Sequence, residues 1–140
     1  MPDAITTREF VIEDFDAACL LWNEVEGVEI CEGDSREEVA AFLSRNPGLS
    51  RIAESHSDIA GAVLCGHDGR RGFIYHLAVA SAFRGTGVGK LLIGDCLRGL
   101  RGAGIQRAII LVARDNSLGH RFWLRAGFED LDALAMACDV

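Results

Sequence analysis

Apolar residues recur along this chain of 140 residues in runs that predict alternating strands and helices. Alternating apolar positions predict a first strand at 5–12, and the dense apolar residues at 17–22 predict a buried helix. A second helix is predicted to begin after Asp34 or Ser35, since either side chain could cap it, and to end at the Asn-Pro-Gly sequence of 46–48. The first third of the chain therefore predicts one strand followed by two helices.

The middle of the chain predicts an antiparallel meander. Three strand-like runs, at 49–54, 59–66 and 72–79, are separated by short polar segments rich in turn-forming residues. Beyond them the pattern predicts a helix that ends near 101 and a strand at 106–113. A helix at 117–126 and a last strand at 130–138 are predicted to follow. Because a chain of 140 residues can build one good core but not two, residues 1–140 are predicted to form a single α/β (α+β) domain.

A glycine-rich turn separates the last strand of the meander from the next helix. It reads Arg84-Gly-Thr-Gly-Val-Gly-Lys90, so glycines occupy alternate positions. Glycine lets the backbone turn tightly and brings its N–H groups close to a ligand, and the positive end of the following helix dipole points at the same place. The turn therefore predicts a cradle for a pyrophosphate.

Two common phosphate-binding turns do not fit these residues. A mononucleotide P-loop requires Gly-x-x-x-x-Gly-Lys followed by Ser or Thr, whereas Leu91 follows Lys90 here. A dinucleotide turn requires Gly-x-Gly-x-x-Gly early in a βαβ unit, whereas this turn reads Gly-x-Gly-x-Gly and follows a meander. The glycine spacing therefore argues against a nucleotide-binding fragment of either kind.

Two motifs, taken together, carry a family resemblance. The sequence Val79-x-x-x-x-Arg84-Gly-x-Gly-x-Gly89 resembles the acetyl-CoA-binding motif of the GNAT acyltransferase superfamily. Further along, Asn116 and then Phe122-Trp-Leu-Arg-Ala-Gly-Phe128 resemble the Asn, Phe-Tyr and Gly-Phe pattern of the same family, and the resemblance extends over 5–136. It implies the GNAT fold, a mixed and mostly antiparallel sheet with splayed fourth and fifth strands and helices on both faces.

The resemblance also implies acetyl-CoA as co-substrate, without a metal ion. The pantetheine arm would pair with the backbone of the fourth strand, the pyrophosphate would lie on the amides of the glycine turn, and a backbone N–H near Val79 would polarise the thioester carbonyl. Two roles have plain structural alternatives, since Lys90 also suits a solvated helix position and Asn116 an ordinary helix cap. The implied cofactor-binding residues are Leu77, Ala78, Val79, Arg84, Gly85, Thr86, Gly87, Val88, Gly89, Lys90, Asn116, Phe122 and Trp123.

Acyl transfer to an amine requires a base, because most amines are protonated near neutral pH. His76 lies in the predicted fourth strand near the implied thioester, and histidine titrates near neutrality; the alternative is a hydrogen-bonded core histidine. Strand alternation predicts that Tyr75 faces away from His76, so that one faces the substrate groove and the other a helix. In this family the segment that contains Glu24, Glu26 and Glu29 lines the acceptor site. These carboxylates are therefore rival bases or recognisers of a cationic amine, and the alternative is that they are solvated loop residues.

Trp123 departs from the family pattern, which places a tyrosine there to protonate the departing sulfur. An indole N–H is a hydrogen-bond donor but not a practical acid. Three interpretations stay open. Trp123 stacks on the pantetheine end while water protonates the sulfur, His120 one helical turn earlier serves as the proton donor, or the chain binds acyl-CoA with little or no catalysis.

Composition and charge limit the kinds of ligand and the cellular compartment that this chain is expected to have. The net charge of −7 argues against a nucleic-acid surface and weakly favours a cationic substrate such as an amine. The five cysteines are scattered and lack the spacing of zinc ligands, which predicts reduced thiols packed as small apolar residues in a reducing compartment. Since there is neither an apolar run of membrane-spanning length nor a signal pattern, a cytoplasmic protein without a membrane partner is predicted.

We interpret the sequence as an N-acetyltransferase that moves the acetyl group of acetyl-CoA to a primary amine by direct attack. The acceptor is expected to be a small-molecule or peptide amine whose identity the sequence does not specify, and the apolar segment 133–136 permits a homodimer. The alternative is a non-catalytic or weakly catalytic acyl-CoA-binding module. Trp123→Tyr separates the two, because raised turnover would favour a weak enzyme that lacks its acid, whereas inactivity of both forms would favour the binding module.

Overall fold

The computed structural model describes residues 4–25, 28 and 30–140. The chain forms two compact units, Met1–Ile110 and Leu111–Val140. Among the described residues, the first unit contains a β-sheet and three α-helices, and the second contains one α-helix. The expectation that residues 1–140 form one domain stays a prediction.

The strands and α-helices of the first unit follow one another in the order β-α-α-β-β-β-α-β within the described residues. The strands are β1 (Thr6–Glu9), β2 (Arg51–Ser55), β3 (Asp58–His67), β4 (Gly72–Val79) and β5 (Ala108–Ile109), and the helices are α1 (Phe15–Glu24), α2 (Arg36–Arg45) and α3 (Val88–Gly102), with α4 (Ser117–Arg125) in the second unit. The strands form one sheet in the order β1-β2-β3-β4-β5. Neighbouring strands are antiparallel except β4 and β5, which are parallel. The predicted mixed, mostly antiparallel sheet is confirmed.

Helices cover both faces of this sheet, and alternate residues of β3 mark the division. Ala62 and Leu64 belong to a core cluster with residues of α1 and α2, among them Ala18, Leu21, Trp22 and Val39. Gly61 lies on the other face, where an added Cβ would approach Leu92 of α3 to 2.9 Å. The missing side chain therefore lets α3 lie close against the strand, and the predicted helices on both faces are confirmed.

The start of α2 decides between its two predicted caps. The Ser35 hydroxyl accepts a hydrogen bond from the Glu38 N–H at 3.1 Å, and the Glu38 carboxylate accepts one from the Ser35 N–H at 3.3 Å. This reciprocal pair is a capping box. Ser35 is therefore the cap, and the carboxylate of Asp34 is left for another partner.

Three predicted strands are corrected by the structure. The first, at 5–12, ends at Glu9, because the Val11 N–H donates to the Asp14 carboxylate at 2.9 Å and turns the chain. The strand predicted at 106–113 is wrong in length, since only Ala108–Ile109 pairs with β4, and the one predicted at 130–138 is wrong because none of those residues is in a strand. Apolar residues form strands only where a neighbour pairs with them.

The cysteines follow the prediction of buried, apolar packing only in part. All five are free thiols, but only Cys65 and Cys96 are buried, while Cys31 and Cys138 are exposed and Cys19 is half-buried. A hydrogen bond with Cys65, together with burial, raises the pKa of the Cys96 thiol. The Cys96 thiol therefore stays protonated, and the two buried thiols lie between β3 and α3.

Candidate active site

The glycine turn has the left-handed backbone that its sequence predicts. Gly85 and Gly87 have φ angles of 77° and 90°, in a region that favours glycine. A Cβ added at either position would meet no other heavy atom within 4 Å. The space above the turn is therefore not filled by the protein's own described residues, and a ligand can approach the backbone there.

The start of α3 leaves hydrogen-bond donors without partners inside the helix. Gly87 is the N-cap, and the first helical bond runs from the Leu91 N–H to the Gly87 carbonyl at 3.0 Å. The N–H groups of the first turn therefore have no acceptor within the helix. No side chain caps them among the described residues, and the first turn carries Lys90 instead of an acidic residue. Such an end attracts an anion.

Two side chains of the turn brace its backbone. The Arg84 Nε donates to the Val79 carbonyl at 3.4 Å, and the Thr86 hydroxyl donates to the Phe83 carbonyl. Arg84 and Thr86 are both exposed. The exposed guanidinium of Arg84 therefore lies at the junction of β4 and the turn.

One edge of β4 is open beside the turn. β5 pairs with β4 only at Gly72 and Phe73, so within the described residues the edge beyond them has no strand partner. Just beyond β4, the Ala80 N–H donates to the Ala60 carbonyl of β3 at 2.8 Å, and backbone groups alternate in direction along a strand. The N–H and C=O of Val79 therefore face the open edge, where the C=O accepts from Arg84 and the N–H can pair with an extended ligand.

A β-bulge interrupts β4 at the candidate base. The pairing with β3 shifts so that His76 and Leu77 together lie opposite Val63. His76 has a φ of 55°, in the left-handed region that a side chain other than glycine seldom adopts. Such bulges redirect side chains, and they are frequent next to active sites.

The bulge overturns the predicted orientation of two side chains. The Tyr75 ring lies 6.2 Å from that of Phe42 in α2, and the His76 ring lies 5.1 Å from that of Trp22 in α1, as measured between ring centroids. Both therefore face the layer of α1 and α2, and the prediction that they point to opposite faces is wrong, because the extra residue reverses the alternation. Burial raises the pKa of Tyr75, so this phenol stays neutral.

His76 has an acidic partner that sequence reasoning missed. Its Nε2 lies 2.9 Å from Oδ2 of Asp34, and the two side chains are only 16% and 11% exposed. The residues are 42 positions apart, and only their neighbourhood in the fold joins them. One signal was present: of Asp34 and Ser35, only one was needed to cap α2.

The glutamates predicted for acceptor binding are described only in part. Glu24 is the last residue of α1 and is exposed to solvent. Glu26 and Glu29 lie outside the described residues. Their predicted roles, as rival bases or recognisers of a cationic amine, stay predictions.

The second unit holds the remaining predicted site residues. Asn116 caps α4, since its Oδ1 accepts from the Gly119 N–H at 3.0 Å. His120 is exposed, and its Nε2 lies 2.6 Å from Oδ1 of Asp130. The Trp123 ring packs edge-on against two phenylalanine rings, with centroids 5.5 Å from that of Phe122 and 4.9 Å from that of Phe128. Trp123 therefore belongs to an aromatic cluster in this unit.

Two further properties bear on the class of protein. Across residues 4–25, 28 and 30–140, no three His, Cys, Asp or Glu side chains come together in a group that could hold a metal ion. Within the same ranges, every helix is too short or too polar to cross a membrane.

Known proteins match this chain in sequence and in fold. Acetyltransferase ECA0875 of Pectobacterium atrosepticum is 29% identical over 129 residues, which cover 92% of this chain and 91% of that protein. PaiA N-acetyltransferase from Thermoplasma acidophilum, solved in complex with coenzyme A, has a TM-score of 0.78 at 20% identity and covers 93% of this chain and 92% of its own. The aminoglycoside acetyltransferase meta-AAC0020 from an uncultured soil metagenomic sample, solved with sisomicin, has a TM-score of 0.74 at 15% identity over 97% and 96% of the two chains.

The two solved structures share the fold of this chain. This fold was predicted from the glycine motif at 79–89 together with the Asn116 and 122–128 motif. Residues 13–128 match the model of the acetyltransferase (GNAT) family, a span that includes the glycine turn, the bulged strand and α4. The chain therefore belongs to the acetyltransferase (GNAT) family.

Proposed function

We propose that this chain transfers the acetyl group of acetyl-CoA to a primary amine by direct attack of the amine on the thioester. The start of α3 carries the proposal, because its first-turn N–H groups have no partner within the helix and no side-chain cap. A pyrophosphate supplies the oxygen acceptors and the negative charge that such an end favours. Membership of the acetyltransferase family supports the same ligand.

The cofactor would lie along the turn and the open edge of β4. In this proposal the pyrophosphate accepts hydrogen bonds from the turn that Gly85 and Gly87 shape, with Arg84 and Lys90 contributing positive charge. The pantetheine amides pair with backbone of Leu77, Ala78 and Val79, as an added strand would. Thr86, Val88 and Gly89 of the turn are further proposed contacts. The cofactor contacts expected of Asn116, Phe122 and Trp123, which belong to the second unit, stay predictions.

The base and the oxyanion donor would both come from β4. His76 is the proposed base, since the bulge turns its ring toward α1 and the α1–α2 connection, and its side chain retains some exposure. The Val79 N–H faces the open edge of the sheet and is the proposed donor to the thioester oxygen. Removing a proton from the amine frees the lone pair that attacks the acetyl carbon.

We propose that no side chain of the protein protonates the departing sulfur. The indole of Trp123 cannot transfer a proton, and its ring packs against Phe122 and Phe128 in the aromatic cluster of the second unit. His120 has its Nε2 engaged with Asp130. A thiolate is a tolerable leaving group, so water can supply the proton after the C–S bond breaks.

The proposed acceptor is a small-molecule primary amine. Support comes from the fold shared with an aminoglycoside acetyltransferase solved with sisomicin and from the net charge of −7, which favours cationic ligands. Glu24, Glu26 and Glu29 are proposed to receive such a cation.

The experiment begins with calorimetric titration of the protein with acetyl-CoA, CoA and NADH. Micromolar binding of both CoA species and none of NADH is expected. Turnover is then measured with sisomicin, spermidine and a short peptide amine, for the wild type and for Trp123→Tyr. Equal turnover by the two forms supports acid-independent transfer. Binding without turnover in either form on any amine would replace the proposal with an acyl-CoA-binding module, and absence of CoA binding would refute the cradle.

A further inference from the structure

We infer that Asp34 is a positioning residue that holds His76 in the one tautomer able to accept the amine proton, with Nδ1 as the accepting atom. The inference rests on the proposed function of His76 as the base. It adds Asp34, from the segment between α1 and α2, to the proposed site on β4. It also assigns the acceptance of the proton to a single nitrogen of His76.

The carboxylate of Asp34 is itself held in place by its own turn. Its Oδ2 accepts a hydrogen bond from the Cys31 N–H at 3.0 Å, while the Asp34 N–H donates to the Cys31 carbonyl at 3.2 Å. These two bonds close a turn immediately before Ser35 caps α2. The carboxylate therefore meets His76 from a fixed direction, and with 11% exposure it is largely withdrawn from water.

The geometry selects the tautomer of the imidazole. A carboxylate accepts hydrogen bonds, so the nitrogen 2.9 Å from it, Nε2, carries the hydrogen. The other nitrogen, Nδ1, then holds the free lone pair, and no hydrogen bond reaches it from the described residues. A neutral imidazole in this tautomer can accept a proton only at Nδ1.

The ring also has little freedom to turn. Trp22, which is fully buried, packs against it with ring centroids 5.1 Å apart and ring planes at 54°. The left-handed φ of 55° fixes the backbone from which the side chain leaves β4. A base held in one orientation contributes more to catalysis than a mobile one, because the reacting groups must meet in a narrow geometry.

The proton transfer balances without another reactant. The protonated amine gives one proton to Nδ1, and its nitrogen forms the bond to the acetyl carbon. The C–S bond breaks with its electron pair on sulfur, and the second proton leaves the nitrogen and reaches the CoA thiolate through water. The imidazolium, stabilised meanwhile by the Asp34 carboxylate, returns its proton to solvent and regains its starting tautomer.

The thiols and the phenol around this pair stay uncharged near neutral pH. The Cys31 thiol donates to Oδ2 of Asp34 at 3.7 Å, and desolvation together with the carboxylates of Glu32 and Asp34 raises its pKa. On α1, burial and the carboxylates of Asp16 and Asp34 raise the pKa of the Cys19 thiol, which stays uncharged. On β4, burial raises the pKa of Tyr75, which also stays neutral. Within the described residues, Asp34 is paired with no Lys or Arg.

The first test reads the tautomer directly and needs no ligand. In protein labelled with nitrogen-15 at histidine, long-range proton–nitrogen correlations at about pH 8 distinguish the two tautomers of a neutral imidazole. His76→Asn assigns the signal, and asparagine also tolerates the left-handed φ at that position. We expect the Nε2–H form in the wild type and a mixture in Asp34→Ala. An Nδ1–H form in the wild type would overturn the inference.

The second test follows the pH dependence of kcat/KM with acetyl-CoA and sisomicin or spermidine. His76→Asn is expected to lower kcat/KM about 100-fold. Asp34→Asn is expected to lower kcat/KM about tenfold. It should also move the acidic limb of the pH profile to lower pH, because the imidazolium has lost its counter-charge. Asp34→Asn should add nothing in the His76→Asn background. Asp68→Asn is the matched control, since Asp68 accepts backbone bonds in a turn and has no histidine partner in the described structure.

The outcomes separate this inference from the proposed function. If Asp34→Asn lowers activity equally with and without His76, its role is purely structural and the inference fails while the enzyme assignment stands. If the wild type neither binds CoA nor turns over any amine, the proposed function fails, and the tautomer measurement still decides the structural claim.

Discussion

Two helices of the first unit begin in opposite ways. At the start of α2, Ser35 and Glu38 exchange hydrogen bonds of 3.1 and 3.3 Å, so the donors of that end are partnered by its own sequence. At the start of α3, Gly87 has no side chain to offer, and the first turn carries Lys90 in place of an acidic residue. The start of α2 is therefore capped by its own side chains, whereas the first N–H groups of α3 lack a side-chain acceptor.

The difference separates a structural helix end from the proposed binding one. A side-chain cap is worth about 1 kcal/mol to a helix, so leaving it out at α3 forgoes stability. The same omission keeps the N–H groups and the dipole free for an anion. The cap at α2 and its absence at α3 therefore indicate different uses for the two helix ends.

The largest effect is expected from a side chain at the cap of α3. Gly87→Val should weaken CoA binding about 100-fold, or about 2.7 kcal/mol, because the branched side chain occupies the approach to the backbone. It should also lower the free energy of unfolding by about 1 to 2 kcal/mol through its left-handed φ. Calorimetric titration with CoA and urea denaturation measure the two effects.

Gly104 provides a matched control at the other end of α3. Its φ is +82°, and a Cβ there would also meet nothing within 4 Å. Gly104→Val should lose similar stability and leave the affinity for CoA unchanged. Equal weakening of CoA binding in the two variants would show that strain, and not the cradle, explains the result.

A third kind of helix start, before α1, depends on charge. Two hydrogen bonds of 2.8 Å from the Arg8 guanidinium, and one from the Val11 N–H, hold the pKa of Asp14 below its ordinary value. A carboxylate with a lowered folded pKa stabilises the protein above its ordinary pKa of about 4, and this stability is lost as the pH falls through the folded value.

Asp14→Asn should therefore lower the free energy of unfolding by about 1 to 2 kcal/mol at neutral pH. The loss should shrink as the pH falls from about 4 through the lowered pKa of the folded state, because the wild-type carboxylate then also becomes protonated. Urea denaturation at a series of pH values measures both, and CoA affinity should not change. A pH-independent difference between the two proteins would contradict the assignment.

Reversing the charge in the first turn of α3 should separate stability from binding. Lys90→Glu places a carboxylate near the positive helix end and should raise the free energy of unfolding by about 0.5 kcal/mol. It should weaken CoA binding about tenfold, or about 1.4 kcal/mol, because it repels the pyrophosphate. Lys90→Gln should fall between them in affinity. Unchanged CoA affinity in Lys90→Glu would leave Lys90 as a solvated helix residue.

The smallest effect is expected at the capped helix. Ser35→Ala removes the hydroxyl acceptor and should cost about 1 kcal/mol of stability, with no change in CoA affinity. Ser35→Asp keeps an acceptor at the same position and should retain most of the stability. Thermal unfolding and CoA titration check the pair, and a loss of CoA affinity in Ser35→Ala would break the proposed contrast between the two ends.

Features that depend on neighbouring residues could be predicted from the order of amino acids. The glycine turn and the cap of α4 each involve groups within a few positions of one another, so residue type and spacing suffice. For α2 the sequence narrowed the cap to Asp34 or Ser35, and the structure shows Ser35. The antiparallel meander was equally predictable, because short polar turns join its strands and β4 spans the predicted Gly72–Val79.

Strand pairing could not be predicted in the same way. The apolar runs at 106–113 and 130–138 suggest strands, yet only Ala108–Ile109 finds a partner, and Met136 is 90% exposed. A run of apolar residues has the same composition whether or not a neighbour supplies hydrogen bonds.

The orientation of the candidate base was decided by the fold. Simple alternation placed Tyr75 and His76 on opposite faces, but the bulge opposite Val63 turns both toward α1 and α2. Asp34 meets His76 across 42 positions of sequence, so no local pattern could pair them. Local chemistry set where an anion can bind, whereas the side-chain geometry at His76 depended on contacts between distant segments that exist only once the sheet and its helices have packed.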